Sequence, residues 1–154
     1  MDTTDLSILA RLMRDGRATW ADLAVDLGLT APAIAQRVRR LQDRGIIRHF
    51  GVWIAPDTLV PVSAIVALSV APPPAHAIFQ LEVTHLEAVQ ECYQVAGEAD
   101  YILKLRCGSL AQLANLVSDV LPRITGVGHV RTAVVLTTVK ESSILPLPPP
   151  ETTP

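Results

Sequence analysis

Several features that identify common protein classes are scarce in this sequence of 154 residues. Only two cysteines occur, Cys92 and Cys107, and they do not form a CxxC pair, so neither a dithiol redox site nor a zinc knuckle is indicated. Four histidines are scattered without the spacing of a metal site or an acid–base pair: His49, His76, His85 and His129. We therefore expect no metal, no cofactor and no catalytic residues.

Long apolar runs and aromatic residues are also scarce. The most hydrophobic run, Leu59 to Ala71, has thirteen residues and contains Pro61, whereas a membrane-spanning helix needs about 20. The N-terminus has no positively charged stretch followed by an apolar one. We expect no membrane partner and a cytoplasmic location. Aromatic residues make up only 4%, so aliphatic side chains must build the core, as is ordinary for a soluble α+β protein.

Excess positive charge is absent, since the formal net charge is −2, which alone argues against a nucleic-acid partner. The two halves differ, however: residues 1–55 hold eight arginines against six acids, and the remainder holds five basic residues against nine acids. Five arginines lie within residues 37–48 and are opposed only by Asp43: Arg37, Arg39, Arg40, Arg44 and Arg48. Such a concentration is typical of a phosphate-binding surface or of a solvated helix face.

The first half of the chain predicts three helices. In the first, apolar residues recur at helical spacing after a cap at Thr4 or Asp5: Leu6, Leu9, Leu12 and Met13. The second begins near Thr19 or Ala21 and breaks at Gly28. Ala24 precedes Gly28 by four residues, a spacing that suits the corner of a helix-turn-helix, where Ala allows close packing and Gly takes the tight turn.

The third helix has the composition of a DNA-recognition helix rather than of a merely solvated one. Thr30 is a good N-cap, and Pro32 sits in the first turn, where its missing N–H costs nothing. Ile34, Val38 and Leu41 form one stripe, which leaves small residues, a glutamine and arginines on the outside. Such a helix can enter the major groove, which is about 12 Å wide. The expected DNA-binding residues comprise the cap, a groove floor of Pro32, Ala33 and Gln36, and three arginines at phosphates: Thr30, Pro32, Ala33, Gln36, Arg37, Arg40 and Arg44.

The second half predicts a ferredoxin-like domain. The segment IIRHFGVWIAP after Gly45 alternates and predicts a strand or small wing. Four later runs predict strands: VSAIVALSVA, VQECYQVA, YILKLRC and VGHVRTAVVLTTVK. Helical stretches separate them, one around Ile78 to Leu86 and one capped by Ser109. The order β, α, β, β, α, β is typical of a four-stranded antiparallel sheet with two helices on one face.

These elements define an α+β chain with four segments. We predict a helix-turn-helix domain at 1–50, a linker strand or hinge at 51–61, a ferredoxin-like domain at 62–141 and a tail at 142–154. The tail, SSILPLPPPETTP, has five prolines and no periodicity, so we expect disorder past about Leu147. The second sheet face has no helix to cover it, and the apolar content of VVLTTV favours a partner subunit there, hence a homodimer.

In this order, the run DLSILARLMRDGRATWADLAVDLGLTAPAIAQRVRRLQDRGIIRHF, then VQECYQVAGEADYILKLR and ITGVGHVRTAVVLTTVK, resembles the Lrp/AsnC family of bacterial and archaeal transcription regulators. The likeness covers roughly residues 2–145. It implies a winged-type DNA-binding domain that binds double-stranded DNA at the nucleoid, and a ligand-sensing domain whose sheets pair into dimers that often form octamers. It also implies an amino-acid effector at an interface between dimers, near residues 97–100 and 132–135.

An acidic glycine turn suits such an effector, because an amino acid needs an acceptor for its ammonium and donors for its carboxylate. Asp100 or Glu98 could accept the ammonium, while backbone N–H groups of the turn could bind the carboxylate. Combined with the resemblance, this predicts an effector site of seven residues: Gly97, Glu98, Asp100, Leu110, Ala133, Val134 and Val135. The alternative is a solvated hairpin turn, since Gly and Asp favour turns for local reasons.

Two other functions fit the same two-domain plan. Sirohaem decarboxylases resemble these regulators, but their polycarboxylate substrate calls for His and Arg in the region that here reads QECYQVAGEADY, which has neither. We therefore expect a regulator and not an enzyme. A ligand-independent DNA-binding or interaction module is the third interpretation.

Overall fold

The computed structural model describes residues 1–148, which form two compact units. Residues 1–53 and the segment that begins at Lys140 form a helical unit, and residues 54–139 form a unit of strands and helices. The predicted α+β fold, with a helix-turn-helix followed by a βαββαβ sheet domain, is confirmed. None of the helices within the described residues is long and apolar enough to cross a bilayer.

Three helices form the first unit: α1 (Thr3–Arg14), α2 (Trp20–Leu27) and α3 (Ala31–Asp43). Their shared core is small and aliphatic: Ile8, Leu23, Ala24, Ile34 and Val38. Gly28 ends α2 with φ +64°, a left-handed conformation that glycine adopts without strain, and its N–H donates back to Ala24 and Val25. The chain can therefore turn within three residues into α3, as the Ala24–Gly28 spacing predicts.

Side-chain caps fix where these helices begin. The prediction of a cap at Thr4 or Asp5 is wrong by two or three residues, because Asp2 caps α1. The Oδ1 of Asp2 accepts from the N–H of Asp5, and the Oδ2 of Asp5 accepts from the N–H of Asp2. Thr19 and Asp22 make the same reciprocal pair at α2. Each pair satisfies donors that a helix start leaves unbonded.

The predicted strand after Gly45 is not formed. Residues 48–55 belong to neither helix nor strand, and the 3₁₀ turn Pro56–Thr58 follows them. A strand requires a neighbour for its backbone N–H and C=O groups, and this segment pairs with no other in the described part of the chain. Its apolar side chains are left exposed: Phe50, Val52, Trp53 and Ile54.

The second unit has the predicted order of elements. Its strands are β1 (Val62–Val70), β2 (Val89–Gln94), β3 (Tyr101–Cys107) and β4 (Val127–Val134), and its helices are α4 (Ala75–Thr84) and α5 (Leu110–Asn115). A π turn (Leu116–Val120) and a 3₁₀ turn (Leu121–Arg123) extend α5. All pairings are antiparallel, in the order β2-β3-β1-β4.

Alternate residues of the two central strands face the helices. The buried core joins those residues to the inner sides of α4 and α5: Ala64, Val66, Leu68, Val70, Leu103, Leu105, Phe79, Val83, Leu113 and Leu116. β4 is shorter than predicted: its last ladder pair is Val134 with Ala64, and the N–H of Val135 makes one further bond to the carbonyl of Ser63. Residues 135–140 therefore lie outside the sheet.

Candidate nucleic-acid interface and effector site

The outer face of α3 carries most of the residues predicted to bind DNA. Thr30 caps the helix, its Oγ1 accepting from the N–H of Ala33 at 3.4 Å. The inner stripe of Ile34, Val38 and Leu41 is buried, which confirms the predicted orientation of the helix. Pro32, Gln36, Arg40 and Arg44 are exposed, and Ala33 is half-buried. A helix in this orientation presents its first turns to a groove and its arginines to the rims.

Arg37 occupies a different environment from the other arginines. Its Nη1 lies 2.6 Å from Asp2 Oδ2 and 2.8 Å from Asp5 Oδ1, and its side chain is only 24% exposed. Hydrogen bonds to these two carboxylates raise the pKa of Arg37 and lower the pKa of Asp2. The ion pairs join α3 to the start of α1, so we assign Arg37 to the stability of the helical unit, and its contact with phosphate stays a prediction.

Four arginines at the α3 surface have no ion-pair partner within the described residues: Arg39, Arg40, Arg44 and Arg48. All four are exposed. Arg39 is missing from the predicted site, although its spacing from Gln36 and Arg40 places it on the same outer face. The helical periodicity that assigned Gln36 and Arg40 would have included it.

The turn Gly97–Asp100 is attached to the end of β1 by Asp100. The Oδ2 of Asp100 accepts from the N–H of Val70 at 2.8 Å, and its own N–H donates to the carbonyl of Leu68 at 3.0 Å. The carbonyl of Asp100 accepts from the N–H of Val95 at 2.9 Å, which closes the turn. Three bonds from one residue therefore fix the turn on the sheet.

Buried contacts support this turn from the core side. Tyr101, the next residue, is buried, and its hydroxyl lies 3.0 Å from His76 Nδ1 and accepts from Gln80 Nε2 at 2.9 Å. Its ring also packs on Phe79, with ring centroids 4.5 Å apart. The turn is thus held between β1 and α4.

Glu98 projects away from these contacts. Its side chain is 86% exposed and lies 3.2 Å from Arg131 Nη2 on β4. The two side chains line a shallow cavity of about 120 Å³ together with Ser69, Ala99 and His129. A carboxylate and a guanidinium side by side are the complements of the ammonium and carboxylate of a free amino acid. Arg131 is missing from the predicted effector site.

The remaining predicted effector residues lie at the opposite end of the sheet. Ala133 pairs with Ile65 and Val134 with Ala64, whereas Asp100 bonds to Leu68. The N–H of Val135 bonds to Ser63, five residues before Leu68, a separation of about 17 Å along an extended strand. Leu110 is also at this end, since it begins the helix after β3 and β3 ends opposite Val62. Within one chain the seven residues do not form a single site.

Comparison with known proteins assigns both units to one family. A model of a winged helix-turn-helix DNA-binding domain matches residues 1–48, and a model of the Lrp/AsnC ligand binding domain matches residues 63–145. The chain belongs to the Lrp/AsnC family. It is similar along its length to leucine-responsive regulatory proteins: 33% identical to that of Haemophilus influenzae, over 96% of this chain and 90% of the relative, and 34% identical to that of Escherichia coli K12, over 94% and 90%.

Solved structures of Lrp/AsnC-type regulators have the same fold. A transcriptional regulator of Neisseria meningitidis in complex with L-Met is 27% identical, with a TM-score of 0.87, and the match covers 95% of this chain and 96% of that one. The leucine response regulatory protein of Mycobacterium tuberculosis is 31% identical, with a TM-score of 0.82 over 92% and 96%. As an Lrp/AsnC member, this chain is a DNA-binding transcriptional regulator with a ligand-binding domain.

Proposed function

We propose that this chain regulates transcription in response to a free amino acid, with α3 reading DNA and the Glu98–Arg131 pair binding the effector. The exposed arginines around α3 that have no ion pair in the described residues support the DNA role, since cations free of acids are available to phosphates. Binding to chromosomal DNA would place the protein in the cytoplasm at the nucleoid. The proposal includes no catalytic step and no cofactor, in keeping with a family of regulators.

The effector class is proposed from the charge arrangement and from one relative. A neighbour of the same fold is a complex with L-Met. In this chain, Glu98 would accept the ammonium and Arg131 would donate to the carboxylate of an amino acid lying in the cavity beside Ser69. Opening the ion pair costs little because both side chains are exposed. Asp100 would position the turn, since one of its carboxylate oxygens is already bonded to the backbone of β1.

The side chain of the effector requires a second surface, which we propose comes from another copy of the chain. Leu110, Ala133 and Val135 are too far from the turn to join it within one subunit, because they lie at the other end of β1. Residues from two subunits would complete one site. Such a site lies between subunits, and it links ligand binding to assembly beyond the dimer.

The dimer itself is proposed from surfaces that have no partner in the described residues. The segment 48–55 pairs with no strand there and exposes Trp53 and its apolar neighbours. A segment of this kind is satisfied by pairing with a second strand, and a second copy supplies the same sequence. Ile65 and Tyr93 are exposed on the sheet face opposite the helices, which gives a partner subunit further apolar contact.

The decisive experiment is binding to a labelled duplex from the upstream region of the protein's own gene, at several salt concentrations, with and without L-leucine or L-methionine. The double variant Arg40→Ala/Arg44→Ala should bind more weakly, and the slope of log K against log salt should shrink by about 0.9 for each phosphate that is no longer neutralised. Arg123→Ala is the control, because Arg123 is also exposed but belongs to the other unit. An unchanged slope in the double variant would refute the role of α3.

The measurements with added amino acid test the proposed effector role of Glu98 and Arg131. A shift in DNA affinity on adding L-leucine or L-methionine, abolished in Glu98→Gln and Arg131→Gln, is the expected result. DNA binding that ignores both amino acids would favour a ligand-independent regulator and refute the proposed effector role of residues 97–100.

A further inference from the structure

Helix α1 has a second apolar stripe besides the one in the core of the helical unit. Ile8 is buried between the helices. Leu6, Ala10 and Met13 lie on another side of α1 and are only half-buried. Residues spaced by three and four positions share one face of a helix. We call this stripe the outer face of α1. The core of the helical unit does not bury it, so another part of the protein must shield it from water.

The C-terminal segment lies along this face. Residues 144–148 line a cavity of about 420 Å³ together with the outer face of α1 and with Ser7 and Arg14. Residues 140–148 belong to the same compact unit as the three helices. Ile144 and Leu145 are 49% and 65% exposed, whereas the preceding apolar residues Leu136 and Val139 are 96% and 94% exposed. The apolar side chains of this stretch are thus less exposed once the chain lies along α1.

The prolines and a local hydrogen bond reduce the entropic cost of placing the segment along α1. Pro146 and Pro148 fix φ and so lower the conformational entropy that the segment loses on docking. The hydroxyl of Ser142 accepts from the N–H of Ile144 at 3.1 Å, which sets a local turn just before the docked residues.

This arrangement gives the chain two covalent passages between its units. One lies at residues 53–54 and the other at residues 139–140. Around the second passage, the chain runs from Val135, the residue after β4, to Ile144 over nine residues, which can span at most about 30 Å. A short segment therefore joins the end of β4 to the residues that lie along α1.

We propose that the C-terminal segment 144–148 docks on the outer face of α1 and transmits amino-acid binding at β4 to the DNA-binding helices. The inference rests on the proposed function, because it assumes an effector whose site includes Ala133–Val135. Docking on α1 moves α3 as well, since the Arg37 ion pairs with Asp2 and Asp5 join α3 to α1. The segment acts as a positioning device and does not contact DNA.

The test compares two double variants of the full chain. Ile144→Asp/Leu145→Asp places two charges on the residues that lie along α1. Leu136→Asp/Val139→Asp adds the same two charges at exposed positions that precede the C-terminal segment. Three quantities are measured for each: DNA affinity with and without L-leucine or L-methionine, amino-acid binding by calorimetry, and hydrogen exchange of the α1 amides.

We expect wild type and the Leu136/Val139 variant to change DNA affinity about fivefold or more on adding the effective amino acid. The Ile144/Leu145 variant should bind the amino acid and DNA but show less than a twofold change, with faster exchange in α1. A full response in that variant, or an equally weakened response in both variants, would overturn the proposal. If neither amino acid changes the DNA affinity of wild type, both the proposed effector role and the proposed transmission are wrong. Unchanged hydrogen exchange of the α1 amides in the Ile144/Leu145 variant would refute the docking on its own.

Discussion

The contrast between Asp100 and Glu98 gives the sharpest prediction for the ligand-binding domain. Two acids lie two residues apart in one turn, yet Asp100 is bonded to the backbone of β1 while Glu98 is exposed beside Arg131. We predict that Asp100→Ala lowers the stability of the whole domain and does not act on effector binding alone, whereas Asp100→Asn is tolerated. Glu98→Gln should abolish the effector response and leave the stability unchanged.

The magnitudes follow from the hydrogen bonds. Val70 is buried, so removing the acceptor for its N–H leaves an unsatisfied donor and costs about 2 kcal/mol. For a domain of this size, that cost lowers the Tm by roughly 8 to 16 °C. Asn at position 100 keeps an oxygen for the Val70 N–H, so the cost should stay below about 1 kcal/mol. The exposed Glu98–Arg131 pair contributes no more than about 0.5 kcal/mol.

The assay is thermal unfolding at one fixed protein concentration, because the proposed assembly would make the Tm depend on concentration. DNA binding is then measured with and without L-leucine or L-methionine. A Tm for Asp100→Ala equal to that of wild type would refute the structural role. An effector response retained in Glu98→Gln but absent from the stable Asp100→Asn would show that Asp100, and not Glu98, accepts the ammonium.

Three further predictions concern the rest of the chain. Hydrogen bonding to Arg37 lowers the pKa of Asp2 from its ordinary 3.8, so the pair stabilises the fold at neutral pH and that contribution is lost as the pH falls below about 4. Between pH 7 and pH 3, the free energy of unfolding measured with urea should therefore fall less in Arg37→Met than in wild type. Thr19→Ala should cost about 1 kcal/mol in the same assay through loss of the α2 cap, and an unchanged midpoint would contradict the capping geometry. Trp53→Asp should shift sedimentation from dimer toward monomer, whereas Val25→Asp, also at an exposed position, should not.

Sequence patterns predicted the elements that depend on local order. The spacing of Ile34, Val38 and Leu41 fixes the buried side of α3 within a single helix, so it can be read from the sequence. The order of strands and helices in the second unit has the same local origin. Both depend on residues only a few positions apart or on simple succession along the chain.

The misplaced cap of α1 and the omission of Arg39 are local errors, whereas the other errors and omissions involve partners that are distant in the chain or outside it. Arg37 looks like its neighbouring arginines until Asp2 and Asp5, more than 30 residues earlier, are brought against it. Asp100 looks like a free turn acid until its bond to Val70 is known. The apolar pattern of residues 46–56 is that of a strand, but the described chain offers it nothing to pair with. The predicted disorder past Leu147 concerns mostly residues 149–154, which lie outside the described part of the chain.

The position of the turn and of Ala133–Val135 at opposite ends of one sheet has a thermodynamic consequence. In the proposed effector site, the two parts meet only when two subunits meet, so the proposal predicts that the apparent affinity for the amino acid rises with the concentration of the protein itself. By reciprocity, the amino acid should tighten the assembly by the same factor. Under this proposal, a cell that makes more of the protein also makes it respond to less of its effector.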